Sequence, residues 1–160
     1  MAILLKEEGL YHKSTIYATD FNEEVVHQAK RGIYSSERMR DYTLNYQQAG
    51  GKESFGDYYT AEYGHAKIDE SLKQKIVFFV HNLVTDRAFG EMNVIICRNV
   101  LIYFKRELQE RVTDLLYNSL GRKGTLCLGM KETLDFTGHS DTFEYCSKQG
   151  NIYQLRNGKK

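Results

Sequence analysis

The 160-residue chain has no proline and no tryptophan, only three cysteines and almost no net charge, since 22 Lys and Arg against 21 Asp and Glu leave +1. That balance argues against a general nucleic-acid surface, which needs a strong basic excess. No apolar run approaches the roughly 20 residues that span a bilayer, and no signal peptide is visible. There is no CxxC pair, and His12, His27, His65, His81 and His139 lack metal-ligand spacing, so no metal site is expected. Cys97, Cys127 and Cys146 are odd in number and sit in expected strands. They read as reduced core thiols of a cytoplasmic protein. Neither a GxGxxG pattern nor a Walker loop occurs, which leaves NAD and ATP without positive support. No internal repeat or low-complexity segment is present. The lack of proline points to no function by itself. The length predicts one domain with a real core.

What is present is organised around residues 93–104. Val94, Ile95, Ile96 and Cys97 form a continuous apolar run that predicts a strand buried on both faces, as in a parallel α/β sheet. Arg98 and Asn99 interrupt it where the strand should end. Leu108, Val112, Leu115, Leu116 and Leu120 then recur on one helical stripe. The order is strand, polar tip, helix. Ligands of open α/β sheets bind beyond the carboxyl ends of strands. A strand end whose Arg and Asn merely bond nearby backbone fits the spacing equally well.

The rest of the chain follows the same alternation. Residues 2–8 read as a helix with Gly9 as its stop and no Ser, Thr, Asp or Asn cap before it. Residues 15–19 read as a strand with Asp20 at its tip. Asn22 then caps a helix that has Glu23 and Glu24 in its first turn, Lys30 and Arg31 in its last, and Gly32 at its close. Val25, Val26 and Ala29 are its expected buried stripe. Within 35–75, residues 38–44 predict a short helix, 47–56 a loop, and 57–69 a hairpin turning near Gly64. Residues 75–80 predict a second buried strand, with His81, Asn82 and Leu83 at its tip. Gly121 and Gly124 bracket a turn into a strand over 125–128. Residues 142–146 and 151–155 predict an antiparallel pair turned at Gly150, and 157–160 a frayed tail.

Cys97-Arg98-Asn99-Val100-Leu101-Ile102-Tyr103-Phe104 resembles the signature of the CheR-type chemoreceptor glutamate O-methyltransferases. Three further segments agree in order and spacing: Ala18-Thr19-Asp20, residues 78–83, and 128–132. The resemblance spans nearly the whole chain and covers the later part of that family's catalytic domain. It implies a Rossmann-like α/β S-adenosylmethionine-dependent methyltransferase fold with an antiparallel C-terminal strand pair. It also implies truncation at the N-terminus, because the family places a first strand and an acidic, glycine-bearing cofactor loop before the opening helix. Residues 1–160 would then be a partial catalytic domain, with 35–75 a variable insert or small subdomain.

The same resemblance implies S-adenosylmethionine as cofactor, with Asp20, Asn82, Leu83, Arg98 and Asn99 binding it. It places Arg98 and Tyr103 at the transfer site. Lys131 stands where the family usually has Ser, within Gly129-Met130-Lys131-Glu132. Glu132 is expected to hold a neighbouring loop rather than act. The implied reaction is in-line attack of a glutamate carboxylate on a sulfonium methyl group, in which charge is neutralised and catalysis is mostly positioning. The implied partner is the cytoplasmic region of a chemoreceptor, for adaptation in chemotaxis. Activity is expected to be impaired in the truncated chain, and strand-mediated self-association through the vacated sheet position is expected. The rival readings are a non-catalytic nucleotide- or partner-binding module of the same fold, and a nucleotide enzyme of another class.

Overall fold

The structure, a computed structural model, describes residues 1–135 and 137–156. The expected tail over 157–160 lies outside the described residues. Two compact units divide the chain, Met1–His81 and Asn82–Lys160.

In the first unit, α1 (Ala2–Glu7) starts without a side-chain cap, and Gly9 follows at φ +68°. The strand β1 (Ile16–Asp20) leads into α2 (Glu23–Arg31). Asn22 accepts from the N–H groups of Glu24 (2.9 Å) and Val25 (3.4 Å), and Gly32 closes the helix in the left-handed region at φ +67°. The acid-first, base-last charge order suits the helix dipole. Only part of the expected apolar stripe is covered. Val26 is buried and Ala29 half-buried, but Val25 is exposed, because it falls one position round the helix from the face that meets the sheet.

Next come β2 (Ile33–Ser35), α3 (Met39–Gln48), β3 (Tyr59–Glu62), β4 (His65–Ile68) and β5 (Ile76–Val80). β2, β4 and β3 form an antiparallel sheet in that order. The hairpin turns at Tyr63 and Gly64, both at positive φ (49° and 77°) as a two-residue hairpin loop requires. The expected helix and hairpin are therefore both present. Glu7 ties this region to α1: its Oε1 accepts from the Tyr46 and Tyr58 hydroxyls, and its Oε2 accepts from Lys52 N–H at 3.3 Å. The Tyr46 hydroxyl foremost, and then Tyr58, holds the Glu7 carboxyl below its ordinary range. β1 and β5 pair in parallel, with Asp20 opposite Val80 at the carboxyl end. Val77 and Val80 are exposed, so β5 is not buried on both faces as the apolar run suggested.

The second unit contains β6 (Met92–Cys97), α4 (Arg106–Ser119), β7 (Leu120–Leu128), β8 (Phe143–Ser147) and β9 (Ile152–Leu155). The sheet order is β6-β7-β9-β8, parallel between β6 and β7 and antiparallel beyond. Val112 and Leu116 of α4 pack into a core with Leu126, Leu128, Phe143 and Tyr153. Leu120, expected on the helix stripe, instead opens β7 opposite Met92. The register then jumps to Val94 opposite Thr125, so residues 121–124 bulge outward through Lys123 at φ +57°.

The expectation that the central strand is buried on both faces does not hold for β6. Cys97 is buried and Ile95 half-buried, whereas Val94 and Ile96 are 53% and 52% exposed. An apolar run sets strand propensity but not which faces are covered, and alternate side chains point to opposite faces. Among the described residues β1 has one ladder partner, β5, and the tip-bearing β6 has one, β7. Cys127 is half-buried and Cys146 exposed, so of the three thiols only Cys97 is a core residue.

Candidate functional site

The site is built at the carboxyl end of β6. The chain must reverse there from strand to helix, which leaves several consecutive amides without ladder partners. Asn99 takes φ +57°, a left-handed conformation that Asn tolerates better than most residues. A single turn of 3-10 helix, Leu101–Tyr103, carries the chain toward α4.

One carboxylate satisfies the reversal. Glu132 Oε2 accepts from Asn99 N–H at 2.9 Å, and Oε1 accepts from Val100 and Leu101 N–H at 2.7 Å each. Gly129 N–H also donates to Oε2, at 2.5 Å. Burial pushes the Glu132 carboxyl upward, and the four backbone donors more than offset that, leaving it below the ordinary range. The expectation that Glu132 holds a loop is met. On the carbonyl side, Gln109 of α4 donates from Nε2 to Leu101 O (2.9 Å) and Phe104 O (3.1 Å). Burial, and then the Glu132 charge, pushes the Cys97 thiol up to about 12, so it is inert as a nucleophile.

Gly129 is fixed by close approach. A Cβ there would lie 2.6 Å from both Asn99 Oδ1 and Glu132 Oε2. Gly129→Ala is therefore expected to cost about 2 kcal/mol or more of stability, read as a lower denaturation midpoint. An unchanged midpoint would show that the tip can yield without loss.

The expected site residues fall as follows. Arg98 is exposed, and among the described residues no hydrogen bond or ion pair holds its guanidinium. Tyr103 is 80% exposed, so it is not packed into the core beside Phe104. Asn99 acts through its backbone in the Glu132 clamp. Leu83 is half-buried against the same core that holds Cys97 and Leu101. Asn82 shapes the turn after β5: its Oδ1 accepts from Val84 N–H at 2.9 Å, and its own N–H donates to Asp86 Oδ2 at 2.8 Å. Asp20, in the first unit, ends β1 with Oδ1 accepting from Asn22 N–H at 2.8 Å. His81 is buried, and its N–H donates to Asp20 O, which fits a strand-end residue. A shallow depression beside the tip is lined by Leu101, Ile102, Gln109, Lys131, Glu132 and Thr133. Lys131 lines it where the resemblance leads one to expect Ser.

Two supporting residues escaped the sequence reading. Gln109 carried no signal. Asn151, at φ +53° in the turn before β9, donates from Nδ2 to Gly129 O (2.7 Å) and Glu132 O (2.6 Å). The Gly150-Asn151 pair marks a turn, but nothing in it names those carbonyls as partners.

The family profile described as CheR methyltransferase, SAM binding domain, matches residues 1–152. A protein from Pseudomonas putida named as a methyltransferase, Cher3, is 49% identical over 154 residues, which is 96% of this chain and 56% of that protein. A chemotaxis protein methyltransferase of Vibrio parahaemolyticus is 32% identical, over 94% of this chain and 53% of its own length. Chemotaxis protein methyltransferase 1 of Vibrio cholerae is 31% identical with the same coverage. The chain therefore spans about half the length of the curated relatives it matches. The family description names S-adenosylmethionine as the bound group, and a parallel-stranded α/β unit with polar strand tips accords with it. The chain belongs to the CheR methyltransferase family, by its match to the profile of that family's S-adenosylmethionine-binding domain.

Proposed function

We propose that the chain contributes the cofactor and transfer site of a cytoplasmic enzyme that methylates glutamate carboxylates of chemoreceptors in chemotactic adaptation. The observation that carries the reading is the β6 tip. There a backbone reversal locked by Glu132 presents an exposed Arg98, with no partner among the described residues, and an exposed Tyr103. Asp20 ends a parallel strand with a carboxylate that can accept from ribose hydroxyls. Asn82 and Leu83 suit the adenosine, and Arg98 and Asn99 the methionine end. The group, when bound, supplies an electrophilic methyl on sulfur. Arg98 orients a carboxylate, Tyr103 orients the acceptor through its hydroxyl, and a substrate glutamate needs no base because it is ionised near neutral pH. Among the described residues β1 and β6 each have one ladder partner, which suits strand-mediated self-association of these 160 residues.

Measured on these 160 residues alone, affinity for S-adenosylmethionine is expected to be weaker than micromolar. Each cofactor hydrogen bond supplied by the other half of the relatives' length would add about 1 kcal/mol. Titration at millimolar cofactor, followed by amide NMR, should shift Asp20, Asn82, Leu83, Arg98 and Asn99, with competition by S-adenosylhomocysteine and none by ATP. No shifts, or shifts elsewhere, would overturn the site. A protein of the relatives' full length should place base-labile methyl label on receptor glutamates. Cofactor binding without such label would favour the binding-module reading.

A further inference from the structure

The geometry points to Asn151 as a positioning residue for the β6 tip: the turn between β8 and β9 sets the order of residues 99–101 through Glu132. The inference rests on the reading that this tip faces cofactor and acceptor. It goes beyond that reading in assigning a role to a residue on a different hairpin.

The chain of bonds is continuous. Glu132 reaches the tip only because residues 129–132 hold a tight turn, with Glu132 N–H donating to Gly129 O at 3.0 Å. The Asn151 carboxamide donates one N–H to each end of that turn, at Gly129 O and Glu132 O. Asn151 cannot rotate away from this pose without cost, because its Oδ1 accepts from the Tyr153 hydroxyl at 2.9 Å. Tyr153 is in turn hydrogen-bonded to Tyr145 at 3.0 Å between hydroxyls. Asn151, Tyr153 and Glu132 are all buried, so the bonds of the Asn151 carboxamide are made away from competing water, whereas Tyr145 at the end of the chain is exposed. The backbone of Asn151 is committed as well, since its O accepts from Leu128 N–H at 3.1 Å. One carboxamide thus spans the turn that aims the Glu132 carboxylate. Loosening it frees the carboxylate, and with it the three amides that define where Arg98 and Tyr103 leave the backbone.

Asn151→Gly separates this role from turn formation, because glycine accepts φ +53° and deletes only the side chain. Hydrogen exchange of the Asn99, Val100 and Leu101 amides should accelerate about tenfold or more, with Val112, Leu116 and Leu126 within about threefold of the parent. Asn151→Asp, which sets a carboxylate against two carbonyl oxygens, should do the same or more. Unchanged tip exchange would overturn the proposal. Uniform acceleration through the second unit would overturn it too, by showing a merely structural residue. A wild-type measurement covers the case in which the variants do not fold. The Asn151 side-chain amide protons should show the same opening free energy as the tip amides once each group's intrinsic exchange rate is divided out, and different opening free energies would refute the coupling. All of these readouts are taken without cofactor. A failure of the cofactor reading therefore leaves them intact, and their failure leaves that reading intact.

Discussion

Glu132→Ala is expected to cost about 4 kcal/mol of folding stability. The substitution strips the acceptor from four backbone N–H groups at once. Asn99 is exposed and Val100 half-buried, so water can reach their amides at modest cost. Leu101 and Gly129 are buried, and an unsatisfied buried donor costs about 1–3 kcal/mol. Two such donors at about 2 kcal/mol each give the figure. Chemical denaturation with an unchanged slope should show it, and a loss under about 1 kcal/mol would mean the tip refolds around water. Glu132→Gln should fall between, since its amide keeps one acceptor oxygen but presents N–H to N–H. The acid limb offers an independent check. The folded carboxyl is held below its unfolded value, so its contribution is fully present above the unfolded value, about 4.3, and is lost as pH falls through the folded one. The stability gap between parent and Glu132→Gln should therefore stay constant above about pH 6 and narrow as pH falls below about 4.3.

The order strand, polar tip, helix was legible because each part leaves a local mark: an apolar run, Arg98-Asn99, and a helical stripe. Asn22 and Gly32 marked both ends of α2 for the same reason, and Gly64 marked the hairpin. Face coverage was not legible. Val25, Val77, Val94 and Ile96 are apolar and exposed, because composition does not say which neighbour covers a face. Leu120 fits a helix stripe by spacing, yet its φ, ψ of −79°, 135° place it in a strand. Long-range polar ties were hidden as well. Glu7 meets Tyr46 and Tyr58 across 39 and 51 residues, and Asn151 meets Gly129 across 22. A carboxylate or carboxamide satisfied by backbone leaves no pattern in the sequence beyond its own identity. The resemblance supplied Glu132 by position and as the holder of a loop, and geometry showed which four amides it holds.

Arg98→Ala is expected to lower methyl transfer by about 10- to 100-fold in a chain of the relatives' full length, while leaving stability within about 0.5 kcal/mol of the parent. The stability half follows from the surroundings. Arg98 is exposed, and among the described residues its guanidinium has no hydrogen bond or ion pair to lose. The activity half follows from its place. It stands directly after Cys97, at the end of β6, on a backbone that Glu132 and Gln109 hold on both its N–H and carbonyl sides. A guanidinium so placed can take a carboxylate through two parallel N–H bonds. Losing a charge-assisted bond of about 1.5–3 kcal/mol corresponds to the stated range. Arg98→Lys should recover only part of the loss, because an ammonium keeps the charge but not the planar fork. The comparison separates positioning from simple charge attraction. If Lys restores full transfer, the tip acts as a local positive field. If Ala leaves base-labile methyl label on receptor membranes unchanged, Arg98 is a surface residue and the transfer site lies elsewhere. The transfer role then falls to Tyr103, exposed on the turn that follows, whose Tyr103→Phe variant would keep the ring and remove only the hydroxyl.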